Sequence, residues 1–209
     1  MRSYTLYRLD GIIKMMKVIL VTIIFCFIAL NANSQLALSL KAGINISDMV
    51  VRNSSSRYSS GYKSGTSFHV GVFTKFKLSE RFNLIPDLQF IQKKSSIDNA
   101  TTSKIKLSYI ELPCIFSYQL VPWLAVEAGP SVAFKVGDNT YTKHFNSIDA
   151  GANAGLRFSF DSNWSFLTRY YYGLITVDKT YRTAVPTGSG DMMRLYNQNL
   201  QFAVAYFLE

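Results

Sequence analysis

The sequence predicts an all-β fold: an eight-stranded antiparallel up-and-down transmembrane β-barrel after an N-terminal signal peptide. Three observations lead there. A basic stretch precedes a short apolar run, eight segments of period 2 follow one another, and short turns alternate strictly with long polar connections. The 209 residues suit one domain, and 48% hydrophobic against 17% charged residues is too apolar a mixture for a disordered chain.

Lys14 and Lys17 form a basic region ahead of the apolar run Val18 to Leu30, which ends near Ala32-Asn33-Ser34. That order is a secretory signal peptide, since a membrane-spanning helix needs about 20 apolar residues and a stop-transfer cluster. Cleavage is expected after Ser34. Residues 1–34 are then an upstream extension and signal peptide, with Met15 or Met16 as the natural start, and residues 35–209 are the barrel domain beginning at Gln35. Cys26 leaves with the leader, so Cys114 is the one thiol of the mature chain and no internal disulfide forms.

From Leu36 the pattern switches to alternation, with Leu36, Leu38, Leu40, Ala42, Ile44 and Ile46 on one side and Ser39, Lys41, Gly43 and Asn45 on the other. The second strand sets Phe68, Val70, Val72, Phe76 and Leu78 against Ser67, His69, Gly71 and Lys75. In the third, Phe82, Leu84, Leu88 and Phe90 oppose Asn83, Asp87, Gln89 and Lys93; in the fourth, Ile110, Leu112, Cys114, Phe116 and Tyr118 oppose Tyr109, Glu111 and Ser117. Leu124, Val126, Ala128, Val132 and Phe134 against Glu127, Gly129, Ser131 and Lys135 make the fifth. The sixth alternates Ile148, Ala150, Ala152, Ala154, Leu156 and Phe158 with Asp149, Asn153 and Arg157. Trp164, Phe166, Tyr170 and Tyr172 against Ser165, Arg169 and Tyr171 give the seventh, and Leu200, Phe202, Val204 and Tyr206 against Asn199, Gln201 and Ala203 the eighth.

Ser79 to Arg81, Gln119 to Trp123 and Asp161 to Asn163 read as short turns. Asp48 to Gly65, Ser95 to Ser103, Gly137 to Ser147 and Asp178 to Met193 read as long loops. Outer-membrane barrels gather short turns at the periplasmic end and long loops outside, whereas a soluble barrel has no reason to. The charged sides of the strands suit a lumen and the large apolar sides suit lipid, over expected strand lengths of about 10 to 13 residues, close to a tilted membrane crossing. Phe82, Tyr118, Trp123, Trp164 and Tyr206 near the short turns, and Phe68, Phe90, Phe134 and Tyr172 towards the long loops, are candidate aromatic girdles.

Gly43-Ile44-Asn45, Tyr109-Ile110-Glu111-Leu112-Pro113, Gly129-Pro130, Asp149-Ala150-Gly151 and Arg169-Tyr170 with Gly173-Leu174 resemble the PorT-like outer-membrane β-barrel proteins of Gram-negative bacteria. The pieces keep the family's order across nearly the whole mature chain. The tail Tyr206-Phe207-Leu208-Glu209 departs from it, since such barrels often end on an aromatic residue. The resemblance implies an eight-stranded barrel, no established enzymatic activity for most members, and assistance to protein secretion by the namesake.

Inward parity collects Lys41, Asp87, Glu111, Glu127, Asp149, Arg157 and Arg169, which are expected to form a structural ion network filling a narrow lumen, with Arg169 bridging Glu111 and Glu127. The loop residues Arg52, Arg57, Tyr58, Tyr62 and Lys63 are a candidate surface-contact segment able to reach lipid phosphate or an external partner. His69 and His144 stand apart from any second His or suitable Cys, so neither metal nor catalytic residues nor cofactors are assigned. The net charge of +9 comes from scattered Lys and Arg, which offers no nucleic-acid stripe. Expected partners are outer-membrane lipid, the barrel-assembly machinery, and envelope or secretion proteins. The expected role is non-enzymatic, in envelope integrity, surface interaction or secretion assistance; the competing classes are a lipid-modifying enzyme and a small transport channel.

Overall fold

The computed structural model describes residues 38–52, 57–58, 62–97, 104–137, 145–177 and 194–208. Its strands are β1 (Leu38–Arg52), β2 (Arg57–Tyr58), β3 (Tyr62–Thr74), β4 (Phe76–Lys77), β5 (Phe82–Ile97), β6 (Lys104–Val121), β7 (Leu124–Gly137), β8 (Ile148–Ser159), β9 (Trp164–Gly173) and β10 (Arg194–Phe207). The two-residue pieces are accessories: β2 pairs with the end of β1, and β4 resumes the pairing with β5 after Lys75. The eight long strands pair antiparallel in chain order, and β10 closes on β1 from Ser39↔Phe207 to Arg52↔Arg194. Closure leaves no unpaired edge, which is what a sheet surrounded by lipid requires. The expected signal segment lies outside the described residues.

Side-chain alternation decides the two surfaces. On β1, Ser39, Lys41, Asn45 and Ser47 are buried while Leu38, Leu40, Ile44 and Ile46 are exposed. The same inversion holds around the barrel: Phe68, Val70, Leu88, Phe116, Val126, Val132, Trp164 and Val204 face outward, and polar residues fill the inside. Only an apolar surrounding reconciles that distribution with the hydrophobic effect. Near the short turns, Phe82 and Tyr118 rings lie 4.8 Å apart and Trp164 and Tyr206 rings 4.7 Å apart, so aromatic side chains ring that end. Cys114 sits on the outer face, half-buried beside Leu112 and Phe116.

Strand lengths differ from the expectation. They run from 10 residues in β9 to 18 in β6. Three long-loop boundaries move accordingly, because β1 continues to Arg52, β3 begins at Tyr62 and β5 continues to Ile97, while β6 begins at Lys104, directly after the expected loop end at Ser103. At the facing ends of β5 and β6, Lys94, Lys104 and Lys106 interrupt the apolar alternation although backbone pairing continues through them. A bulge between Gly65 and His69 on β3 adds one residue there.

Candidate functional site: a closed polar layer in the lumen

Among the described residues, the buried charged side chains are Lys41, Lys93, Arg157 and Arg169 against Asp87, Glu111, Glu127 and Asp149, four of each sign. Each stands at an inward position of its strand, and the narrow bore of an eight-stranded barrel brings opposite walls within side-chain reach. A continuous chain crosses it. The Lys41 ammonium pairs with Asp87 Oδ2, Arg169 Nη1 donates to the same oxygen at 3.1 Å, and Arg169 Nη2 donates to Glu127 Oε2 at 2.7 Å. Arg157 Nε then donates to Glu127 Oε1 at 2.5 Å. The signs therefore alternate from β1 through β5, β9, β7 and β8, with every side chain at most 4% exposed. Burying any of these charges alone would cost several kcal/mol, and alternation is the arrangement that offsets it.

A second pair lies towards the long loops. Lys93 Nζ contacts Asp149 Oδ2 at 3.2 Å, and Asn197 Nδ2 donates to the same oxygen at 2.7 Å. The Lys93 ammonium also sits 4.0 Å from the Tyr171 ring centroid and 5.1 Å from that of Tyr109, so two aromatic faces share the charge with the carboxylate.

Glu111 departs from the expected bridge. Arg169 holds Asp87 and Glu127, and Glu111 Oε2 instead accepts from Gln89 Nε2 at 3.0 Å. Register explains the exchange: Gln89 and Glu111 are directly opposed on β5 and β6, while Asp87 lies one inward step nearer the short turns, where the Arg169 guanidinium ends. No cation stands within ion-pair distance of Glu111 among the described residues.

Apolar inward side chains bound the central polar chain on both sides. Towards the short turns lie Phe73, Ile85, Ile115, Leu167, Ala203 and Ala205, with Phe207 against them. The Phe73 and Phe207 rings meet edge to face at 5.5 Å, and the Arg157 guanidinium rests 5.0 Å from the Phe73 centroid. Towards the long loops lie Met49, Ile91, Ile105, Leu107, Tyr109, Ala133, Phe145, Val177 and Leu195. Parity reasoning placed the charges inward without these two layers, which arise because the inward face turns apolar again near both strand ends. It also placed Gln89, Lys93, Tyr109 and Tyr171 inward without including them in the network, and it did not name Asn197; Lys93 was recoverable from its spacing after Asp87 and Gln89.

Of the candidate contact loop, the structure describes the backbone of Arg52, Arg57, Tyr58 and Tyr62 and the exposed Lys63, whose carbonyl accepts from Ser95 Oγ at 3.0 Å. The rest of that segment lies outside the described residues.

A closed antiparallel barrel with an apolar exterior and short turns at one end defines the class of bacterial outer-membrane β-barrel proteins. The family described as outer membrane protein beta-barrel domain matches residues 31–179, and the chain belongs to it. Among solved structures, the barrel is similar to Neisserial surface protein A, with a TM-score of 0.52 at 12% identity over 84% of this chain and 100% of that one. It is also similar to Ail, the attachment invasion locus protein of Yersinia pestis, at a TM-score of 0.45 and 10% identity, covering 84% of this chain and 100% of Ail. OprG from Pseudomonas aeruginosa gives a TM-score of 0.45 at 8% identity over 83% of this chain and 96% of that chain. At such identities the likeness concerns the fold alone. No curated protein matches the sequence.

Proposed function

We propose that the protein is a non-conducting, non-enzymatic outer-membrane barrel whose lumen is a structural plug and whose role lies in envelope integrity, surface interaction or secretion assistance. One observation supports this reading above the others: among the described residues the buried lumen charges balance four against four, seven of them in ion pairs and Glu111 held by Gln89, with apolar layers on both sides of the central chain. The PorT-like resemblance favours secretion assistance within that range. On this reading the chain is exported by a signal peptide cleaved after Ser34 and inserted by the barrel-assembly machinery, and the segment around Arg52, Arg57, Tyr58, Tyr62 and Lys63 meets partners outside the cell.

Planar-bilayer recording tests the plug. The purified barrel is expected to give no steady conductance in neutral salt; stable open channels would overturn the reading in favour of transport. N-terminal sequencing of protein extracted from outer membranes is expected to begin at Gln35, and recovery of an intact Met1 or Met15 terminus would remove the export proposal.

A further inference from the structure

The outer face of β5 and β6 changes character in steps. Its directly opposed pairs, read towards the long loops, are Phe90↔Ile110, Gln92↔Ser108 and Lys94↔Lys106. Successive pairs lie about 7 Å apart along the strand, and because Gln92 is itself buried, the outer face passes from the apolar Phe90↔Ile110 pair to the basic Lys94↔Lys106 pair across the depth of a membrane interface. Lys94 lies between the buried, inward Lys93 and Ser95 and is therefore outward and half-buried; Lys106 is exposed. Like charges directly opposite one another on a strand pair repel. Among the described residues no carboxylate pairs with either lysine. Gly65 is the residue opposite Lys94 on β3, so no side chain covers that flank.

Below the basic pair, on the same face, lies an apolar groove of about 710 Å³ whose lining includes Leu40, Val70, Val72, Leu88, Phe90 and Ile110. Phe90, part of that lining, packs against Phe68 with ring centroids 6.0 Å apart. A hydrocarbon-lined groove beneath two lysines that have no carboxylate partner among the described residues matches one kind of occupant: an amphiphile with a multiply charged head.

We propose that Lys94 and Lys106 together bind the phosphate of a lipid in the outer leaflet, with one of its acyl chains lying in the groove beside Leu88 and Phe90. Each ammonium offers three donors, and a phosphate monoester has the charge and oxygens to engage both, whereas a single carboxylate leaves one lysine repelled by the other. The position at the long-loop end puts this site in the outer leaflet. It is distinct from the lumen network and from the candidate contact loop.

The test uses the full barrel folded into nanodiscs of phosphatidylcholine doped with phosphatidic acid, with retained lipid counted by native mass spectrometry. Wild type is expected to retain phosphatidic acid in preference to phosphatidylcholine. K94Q/K106Q is expected to weaken that preference about 30-fold, the product of two lysine contributions at an anionic surface. K75Q/K77Q, which removes two exposed charges at the short-turn end, serves as the charge-matched control and is expected to keep it. Heat-dependent gel mobility verifies that each variant is folded. Equal retention in wild type and K94Q/K106Q, or equal loss in K75Q/K77Q, overturns the proposal. Displacement of the lipid by an equimolar amount of inorganic phosphate in the buffer overturns its lipid source.

Discussion

Arg169 is the residue on which most of the lumen geometry depends, since it alone links the Lys41–Asp87 pair to the Glu127–Arg157 pair. Arg169→Met removes one positive charge and leaves two neighbouring carboxylates each with a single cation. Breaking a buried pair in this way costs about 3–5 kcal/mol, so the temperature at which the folded, fast-migrating gel band disappears should fall. Glu111→Gln in the same background should restore part of the loss. The reason is charge balance rather than a direct bond: with Arg169 and Glu111 both neutral, three cations face three carboxylates, paired as Lys41–Asp87, Arg157–Glu127 and Lys93–Asp149. An unchanged transition in Arg169→Met would return these groups to the candidates for chemistry. Which residues point inward was legible in the sequence, because parity alone decides it. Who pairs with whom was legible only in part: the expected Arg169–Glu127 contact is present, but the second partner is Asp87 on β5 rather than Glu111, because contacts across the bore depend on register, which alternation does not encode.

At the scale of the strand, close approach and proline account for what periodicity left out. A Cβ added to Gly43 would lie 1.9 Å from the Phe202 carbonyl oxygen, at the β1–β10 closure, so the strands there tolerate no side chain without moving apart. Gly43→Ala should destabilise the barrel by about 1–3 kcal/mol through overpacking. Gly137→Ala, whose added Cβ would come no closer than 3.4 Å to Ser108, should change the unfolding transition much less in the same urea titration. Pairing lapses for two residues between Pro86↔Cys114 and Gln89↔Glu111, and again between Pro113↔Ser131 and Phe116↔Ala128, while the register on either side is kept. Pro86, Pro113 and Pro130 cluster at this seam and have no amide hydrogen to give. Hydrogen exchange in micelles should therefore be faster at Leu88 and Ile115 than at Ile44 and Phe202 in the unbroken β1–β10 ladder. Equal protection would mean that the seam's remaining bonds suffice. Eight strands and their two faces could be read from the sequence because lipid outside and charge inside impose period 2. The end of β5 could not, since past the apolar band the outer face no longer has to be apolar and the alternation stops marking the strand.

For the whole molecule, the proposed plug makes a prediction about the lumen's isolation from bulk solvent. Among the described residues, four positive and four negative buried side chains sum to no net charge, and apolar clusters flank the central chain towards both ends of the barrel. Dissolved salt screens charges that water reaches, with a Debye length of about 10 Å at 0.1 M and about 3 Å at 1 M, but it screens a dry pair far less. A plugged barrel and a wet one therefore respond differently to the same experiment. If the lumen is dry, raising the salt from about 0.1 M to about 1 M should leave the thermal transition of wild type nearly where it was, and the drop caused by Arg169→Met should be the same at both concentrations. If water and ions fill the bore, salt should weaken the wild-type ion pairs and shrink the difference between wild type and variant. A difference that collapses at high salt would thus count against the dry plug even if no conductance were seen, because a water-filled lumen can be too narrow or too interrupted to carry a steady current.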